Sequence, residues 1–229
     1  MLGVRKIDPN LDTRKVLNSI QGVVYRFLKP YGFHKHGRTL HRFVSDDISQ
    51  TITFQLGQAY RGETHLLFIN TGIRVPECMI RSFDSEENPK KYYHAYECNI
   101  RSRLGIIEGK EDSYYDLRDS TEDIIADILR QIQTLLLPVF ETLNSRDAIL
   151  AHRREYPAFD IISRHQIVLE EAMIYGRRGE RARAAETLNL YYQLCRRGEV
   201  THKDPRVIQR HLEYLDELAK KLGMTIEKT

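Results

Sequence analysis

Between Tyr31 and Arg74 the hydropathy pattern changes its period, and few architectures accept that change. Before it, Leu17, Ile20, Val24, Phe27 and Leu28 recur at steps of three and four residues, which places an apolar stripe along one side of a helix over residues 11–31. Asn10 or Asp12 suits its N-cap, Pro30 makes its last turn irregular, and Gly32 suits a left-handed C-cap. After it, Ile52, Phe54 and Leu56 alternate with Thr51, Thr53 and Gln55, the two-residue period of a strand with unlike faces. Strands are expected over residues 39–45, 49–59 and 65–74, with a polar turn at 34–38 and further turns at Asp46-Asp47 and Arg61-Gly62-Glu63. In the third, Leu67, Ile69, Thr71 and Ile73 share one face while Leu66, Phe68 and Asn70 share the other, so it reads as a central strand covered on both sides. Connections this short cannot make parallel crossovers, so an antiparallel meander is expected.

Residues 1–9 read as a loose arm, and the polar run Asp84-Ser85-Glu86-Glu87-Asn88-Pro89 as part of a long loop over residues 76–91. A further strand is expected over 94–104, with Arg101 and Arg103 on the face opposite Ile100 and Ser102. An acidic turn at 108–112 and a short edge strand at 114–117 follow. Ser120 is placed to cap a helix whose wide stripe includes Ile124, Ile128, Ile132 and Leu136, and Pro138 is expected to end or kink it. Ser145 caps a shorter helix to about residue 155. Three helices are then expected, over 160–175, 180–197 and 205–222, with Asp204 as cap before Pro205. The first two are weakly tetratricopeptide-like, with Tyr191 where a small residue is usual, and a helical hairpin is the simpler reading. The fold class is therefore α+β: an antiparallel sheet of four to five strands packed with helices, over residues 1–156, followed by a three-helix C-terminal region over 157–229.

Charge is unevenly spread. Residues 1–44 hold nine Lys and Arg against two Asp and Glu, while residues 45–144 hold ten against seventeen. The basic start either neutralises the acidic middle on folding or forms a surface for phosphates. Arg14, Lys15, Arg26, Lys29, Lys35, Arg38 and Arg42 are the nucleic-acid-binding candidates. Three cysteines, Cys78, Cys98 and Cys195, are too few and too far apart for a disulfide framework or a cysteine zinc site. No apolar run is long enough to span a membrane and no secretory segment follows Arg5 and Lys6, so a cytoplasmic protein without membrane contact is expected. His34 and His36 share a face in an extended segment, but His41 falls at the opposite parity; the pair reads as part of a solvated basic turn, and no metal or cofactor is expected.

One polar constellation stands out. Gln55, Asn70, Arg101 and Arg103 lie on strands, and if their faces coincide they make a pocket for a carboxylate, a phosphate or an acidic peptide. The competing expectation is that the arginines pair with Glu97 and other acids on a solvated face. No motif for nucleophilic, metal-dependent or nucleotide-dependent catalysis is present, and no catalytic residue is assigned.

Residues 13–150 resemble a family known only as domain of unknown function 4304. The likeness rests on Leu28-Lys29-Pro30-Tyr31-Gly32-Phe33, Lys35, Gly37-Arg38-Thr39 and Arg42, then on Phe54-Gln55 and Phe68-Ile69-Asn70-Thr71-Gly72-Ile73. It continues through Cys98-Asn99-Ile100-Arg101-Ser102-Arg103-Leu104-Gly105 and Leu137-Pro138, with Tyr114-Tyr115 where the family tends to carry a tryptophan pair. The resemblance implies a bacterial α+β domain without an established activity, and it transfers no catalytic residue. The expected function is a non-catalytic protein-binding module, of the immunity or adaptor type, with a protein partner and an open oligomeric state. The alternatives are nucleic-acid binding through residues 1–44 and an enzyme acting on an anionic small molecule at the arginine face.

Overall fold

The computed structural model describes residues 11–45, 47–57, 65–79, 90–110, 114–159, 164–200 and 204–226. The expected N-terminal arm, the Asn10 cap, Asp46, the Arg61-Gly62-Glu63 turn, the Asp84–Pro89 run, the end of the 108–112 turn and the start of the helix at residue 160 lie outside the described residues.

Helix α1 (Thr13–Leu28) begins where the Asp12 carboxylate accepts hydrogen bonds from the backbone N–H groups of Arg14 (3.1 Å) and Lys15 (3.0 Å). It ends in a 3-10 turn, Lys29–Tyr31, closed by Gly32 at φ 83°. The sheet follows: β1 (His34–His36), β2 (Thr39–Val44), β3 (Ile48–Gly57), β4 (Leu66–Arg74), β5 (Ile100–Arg103) and β6 (Tyr115–Asp116). The first five are neighbours in that order, β6 pairs with β4 beside β5, and every pairing is antiparallel.

Two expectations about this sheet are corrected. Residues 34–36 form a strand rather than a polar turn, because the two-residue turn Gly37-Arg38 lets them fold back onto β2. Only 100–103 of the expected 94–104 strand pairs into the sheet. Ala95–Glu97 forms a 3-10 turn instead, in which the Glu97 side chain accepts the His94 N–H at 2.9 Å.

One sheet face carries Leu40, Ile52, Phe54, Ile69, Ile73 and Ile100, all buried. Against it lie the stripe of α1 (Leu17, Ile20, Val24) and that of α3 (Thr121–Gln131), with Ile124 and Ile128. Each such side chain stabilises the fold by about 1.5–3 kcal/mol relative to an exposed one. Pro138 does not end this second helix. A π turn over Ile132–Leu136 widens the backbone so that the Leu137 N–H reaches the carbonyl of Ile132, and α4 (Leu137–Thr142) continues from there. The wider turn relieves the clash and the missing N–H that proline brings to a regular helix.

The C-terminal elements are α5 (Arg146–His152), α6 (Arg164–Arg177), α7 (Arg181–Arg196) and α8 (Pro205–Lys221); a four-residue helix, α2 (Leu104–Ile107), follows β5. Ser145 and Asp204 cap α5 and α8 as expected. The helices pack at the end of the sheet. Arg146 bonds Glu77 at 2.7 and 2.8 Å, and the buried Glu170 of α6 accepts from Asn99 at 2.9 Å and from the buried Arg153. Their apolar residues join the same core cluster as those of the sheet. Tyr191 is buried on α7 with its hydroxyl 3.0 Å from His211 Nε2 of α8. No helix among the described residues is long and apolar enough to cross a membrane.

Candidate anion-binding cleft

The second sheet face is built of polar side chains, and the register aligns them in rows. Thr39, Thr53, Asn70 and Arg103 are successive partners across β2, β3, β4 and β5. Arg101 lies opposite Gly72 on the same face, and Gln55 stands two residues beyond Thr53. The segment from Tyr92 to Cys98 crosses this face. Two bonds hold it down, His94 Nδ1 to Thr39 Oγ1 (2.7 Å) and the Ala95 N–H to Thr53 Oγ1 (3.1 Å), and the two threonine hydroxyls lie 3.2 Å apart. Gly72 makes this crossing possible. A Cβ there would stand 2.6 Å from Cys98 Cβ and 2.7 Å from its sulfur.

Where the crossing segment leaves the sheet uncovered, a cleft of about 800 Å³ opens. Its floor carries Gln55 and Asn70, whose side-chain amides bond each other at 2.8 Å. Arg38, Arg101 and Arg103 stand around it with the rings of His94 and Tyr96, and among the described residues no Asp or Glu belongs to its lining. The main chain fixes Arg38 in the β1–β2 turn, its carbonyl accepting the Phe54 N–H at 2.9 Å. Arg101 donates to the Tyr96 carbonyl at 3.1 Å, and the Arg103 guanidinium lies 4.6 Å from the centre of the Phe68 ring. The expectation that Glu97 engages these arginines is not what the geometry gives: Glu97 bonds Lys90 and the His94 N–H. Burial alone would raise the Glu97 pKa, but those two donors outweigh it and hold the carboxyl below its ordinary value.

A second hollow of about 420 Å³ adjoins the first and shares His94 and Tyr96 with it. His36, Lys90, Lys91, Tyr92 and Glu97 also line it. Its rings are ordered: Tyr92 stacks on His36 with centroids 3.7 Å apart, and Tyr96 stacks on His94 at 5.2 Å with planes 18° apart. Tyr96 is 68% exposed, so one side of its ring is open.

All four residues singled out as a ligand pocket thus line one cleft. The seven basic candidates are not gathered in this way. Arg38 joins the cleft. Arg42 points to the other sheet face, where it is buried and bonds Gln50 (2.8 Å), the Tyr31 carbonyl (2.8 Å) and Glu141 (2.6 Å). Arg14 and Lys15 lie in the first turn of α1, Arg26 in its last turn and Lys29 just after it. Lys35 is exposed on β1, on the face opposite His34 and His36. Sequence reasoning missed Tyr96, His94, Thr39 and Thr53. The ring-rich run Tyr92-Tyr93-His94-Ala95-Tyr96 was the available signal for the first two.

The hairpin also corrects the parity argument about histidines. His34 and His41 are cross-strand partners with rings 6.0 Å apart, so they share a face. Burial first, and the neighbouring His34 and His36 next, hold the His41 pKa below its ordinary value. Among the described residues no group of three His, Cys, Asp or Glu is placed to hold a metal ion. The three cysteines are buried and unpaired by disulfides, and burial pushes the Cys98 thiol up to about 12.

The architecture defines an α+β protein: an antiparallel sheet with one helix-covered face, one polar face and a helical C-terminal region. The chain belongs to the family described as Domain of unknown function (DUF4304), whose model matches residues 24–142, just over half of the chain. The matched stretch contains every residue that lines the cleft. Comparison with curated proteins and with solved structures gives no match.

Proposed function

We propose that this protein binds a small anionic ligand, bearing a phosphate or a carboxylate, in the cleft on the polar face of its sheet. The observation that carries this reading is the lining itself. Three arginines line one concave surface, and no Asp or Glu among the described residues lines it with them. A guanidinium group offers paired N–H donors in a planar fork, the geometry that suits an anion with several oxygens. The floor amides of Gln55 and Asn70 offer both donors and acceptors, which suits a hydroxyl or a ring edge beside the anionic group. Binding is the function assigned; no residue is given a catalytic role.

The test is thermal unfolding of the full chain in titrations of inorganic phosphate, pyrophosphate and citrate, each against sodium chloride at equal ionic strength. A ligand that binds only the native state raises the midpoint with concentration, by about 2.7 kcal/mol of stability at a hundred times its Kd. Arg38→Ala and Arg101→Ala should each abolish the rise. A midpoint that follows ionic strength alone, or an unchanged response in both variants, overturns the reading.

One observation favours the protein-partner reading as a second possibility: Phe43 is 46% exposed on the same face, edge-on to His41 and Tyr93. Affinity capture from the native host with nuclease treatment, comparing the wild type with Phe43→Ser, tests it. A stoichiometric partner lost in the variant supports it.

A further inference from the structure

The hollow beside the arginine cleft is lined by four rings, His36, Tyr92, His94 and Tyr96, and shares the last two with the cleft. We infer that the ligand is a nucleotide, its phosphate held by Arg38 and Arg101 and its base stacked on the open face of Tyr96. The inference rests on the anion-binding reading and specifies what else the same ligand carries.

Three features lead to it. First, Tyr96 is not a loose surface ring. His94 backs it at 5.2 Å, His94 is itself tied to Thr39, and the Tyr96 carbonyl is held by Arg101. A large apolar ring kept exposed on a fixed support is a stacking platform, and flat aromatic bases are the ligands that use one. Second, the same residue links the two chemistries. Arg101, which faces the cleft, bonds the main chain of the residue whose ring lines both hollows, so anion site and platform hold a fixed relation. A ligand that fills both needs a charged end and a planar end, which is the composition of a nucleotide. Third, size and charge limit the ligand to something small. The two hollows, of about 800 and 420 Å³, lie in the range of small-molecule sites. The basic residues do not extend from them as a track, since Arg42 turns to the other face and pairs with Glu141. Lys90 and Lys91 border the second hollow, and Glu97 there offsets Lys90.

The experiment is isothermal titration of the full chain with the 5′-monophosphates of adenosine, guanosine, cytidine and uridine. Ribose 5-phosphate serves as the probe with an anion and no base, and adenosine as the probe with a base and no anion. At least one mononucleotide should bind roughly tenfold or more tighter than ribose 5-phosphate, the advantage expected from one stacked base. Tyr96→Ala should erase that advantage while leaving ribose 5-phosphate binding unchanged. Arg101→Ala should weaken both ligands, and Arg38→Ala, which leaves the Tyr96 support intact, should do the same. Tyr96 is exposed enough that its loss should not move the unfolding midpoint, and that midpoint is measured for every variant. If ribose 5-phosphate binds as tightly as every mononucleotide, or Tyr96→Ala changes nothing, the nucleotide inference falls and the anion site stands. If no phosphate compound binds, the nucleotide inference falls, and the anion-binding reading is decided by the citrate titration.

Discussion

Gly72→Ala is the substitution that tests most directly how the cleft is made. Gly72 lies in the interior of the central strand β4, where glycine weakens a strand unless something needs the space. Here the need is the crossing of residues 94–98. An added Cβ would sit 2.6 Å from Cys98 Cβ, 2.7 Å from Cys98 Sγ and 3.3 Å from the Ala95 carbonyl oxygen. Carbon atoms rest at about 3.5–4.0 Å, so the crossing segment must lift by roughly 1 Å. Cys98 Cβ cannot yield by rotation. A lift of that size strains or breaks the bonds from His94 to Thr39 and from Ala95 to Thr53, and it moves Tyr96 relative to Arg101. Overpacking of this kind costs about 1–3 kcal/mol. In a chain of this size, that lowers the thermal midpoint by about 2–4 °C for each kcal/mol. The assay is thermal and urea unfolding of four proteins: wild type, Gly72→Ala, Cys98→Gly and the double variant. Because Cys98→Gly removes both close atoms, the double variant should be more stable than the sum of the single losses predicts, by about 0.5–3 kcal/mol. Gly72→Ala should also weaken any ligand of the cleft. Additive losses in the double variant, or a Gly72→Ala protein as stable as wild type, would refute the argument that the crossing segment presses on the strand.

Other expectations follow from the same coordinates. Glu170→Ala leaves Arg153 charged and buried without the Glu170 carboxylate, so it should cost about 3–5 kcal/mol in urea unfolding, whereas Arg153→Met with Glu170→Leu should recover most of that loss. His41 and His211 both titrate below the ordinary histidine value, burial being the first cause for each, so the unfolded chain takes up protons before the native one does. Stability should therefore be complete above about pH 6.5 and decline as pH falls through their lower folded values. A second decline should come below about pH 4 as Asp116, held low by Arg118, is protonated; a stability that rises between pH 7 and 5 contradicts the first step. Cys78, Cys98 and Cys195 are buried with raised pKa values, so iodoacetamide should label none of them in the native protein and all three in urea, as read by intact mass.

The architecture was legible because periodicity reports burial directly. Leu17, Ile20 and Val24 recur as a helix recurs and are buried, and Ile52 and Phe54 alternate as a strand does and face the same core. What escaped was set by contacts distant in sequence. His34–His36 is too short and too polar to look like a strand, and it becomes one because β2 lies beside it to accept its hydrogen bonds. Pro138 signals a helix end to any local rule, yet the tight packing of Ile132, Leu136 and Phe140 favours continuation, and the π turn is how the backbone complies. Face parity placed Gln55, Asn70, Arg101 and Arg103 each on one side of its own strand, but that those sides coincide is decided by the register of the pairings. Tyr96 and His94 were not legible, because nothing in their own spacing shows that residues 94–98 leave the expected strand and lie across Thr39 and Thr53.

That crossing explains how one sheet supports two different faces. On the core side, branched and aromatic residues need covering, and α1 and α3 cover them. On the other side the threonines at 39 and 53 would be expensive to bury against hydrocarbon. They are covered instead by a segment whose own polar groups complete their hydrogen bonds, and Gly72 leaves room for it to come close. Because that cover is narrow, it leaves the end of the sheet near Gln55, Asn70 and Arg103 uncovered, and Arg38 and Arg101 border the same opening. The cleft is thus a consequence of how the polar face is satisfied. Its chemistry is set by what stands at its border: guanidinium groups on one side and a backed aromatic ring on the other. The nucleotide proposed above carries one group for each side of that border.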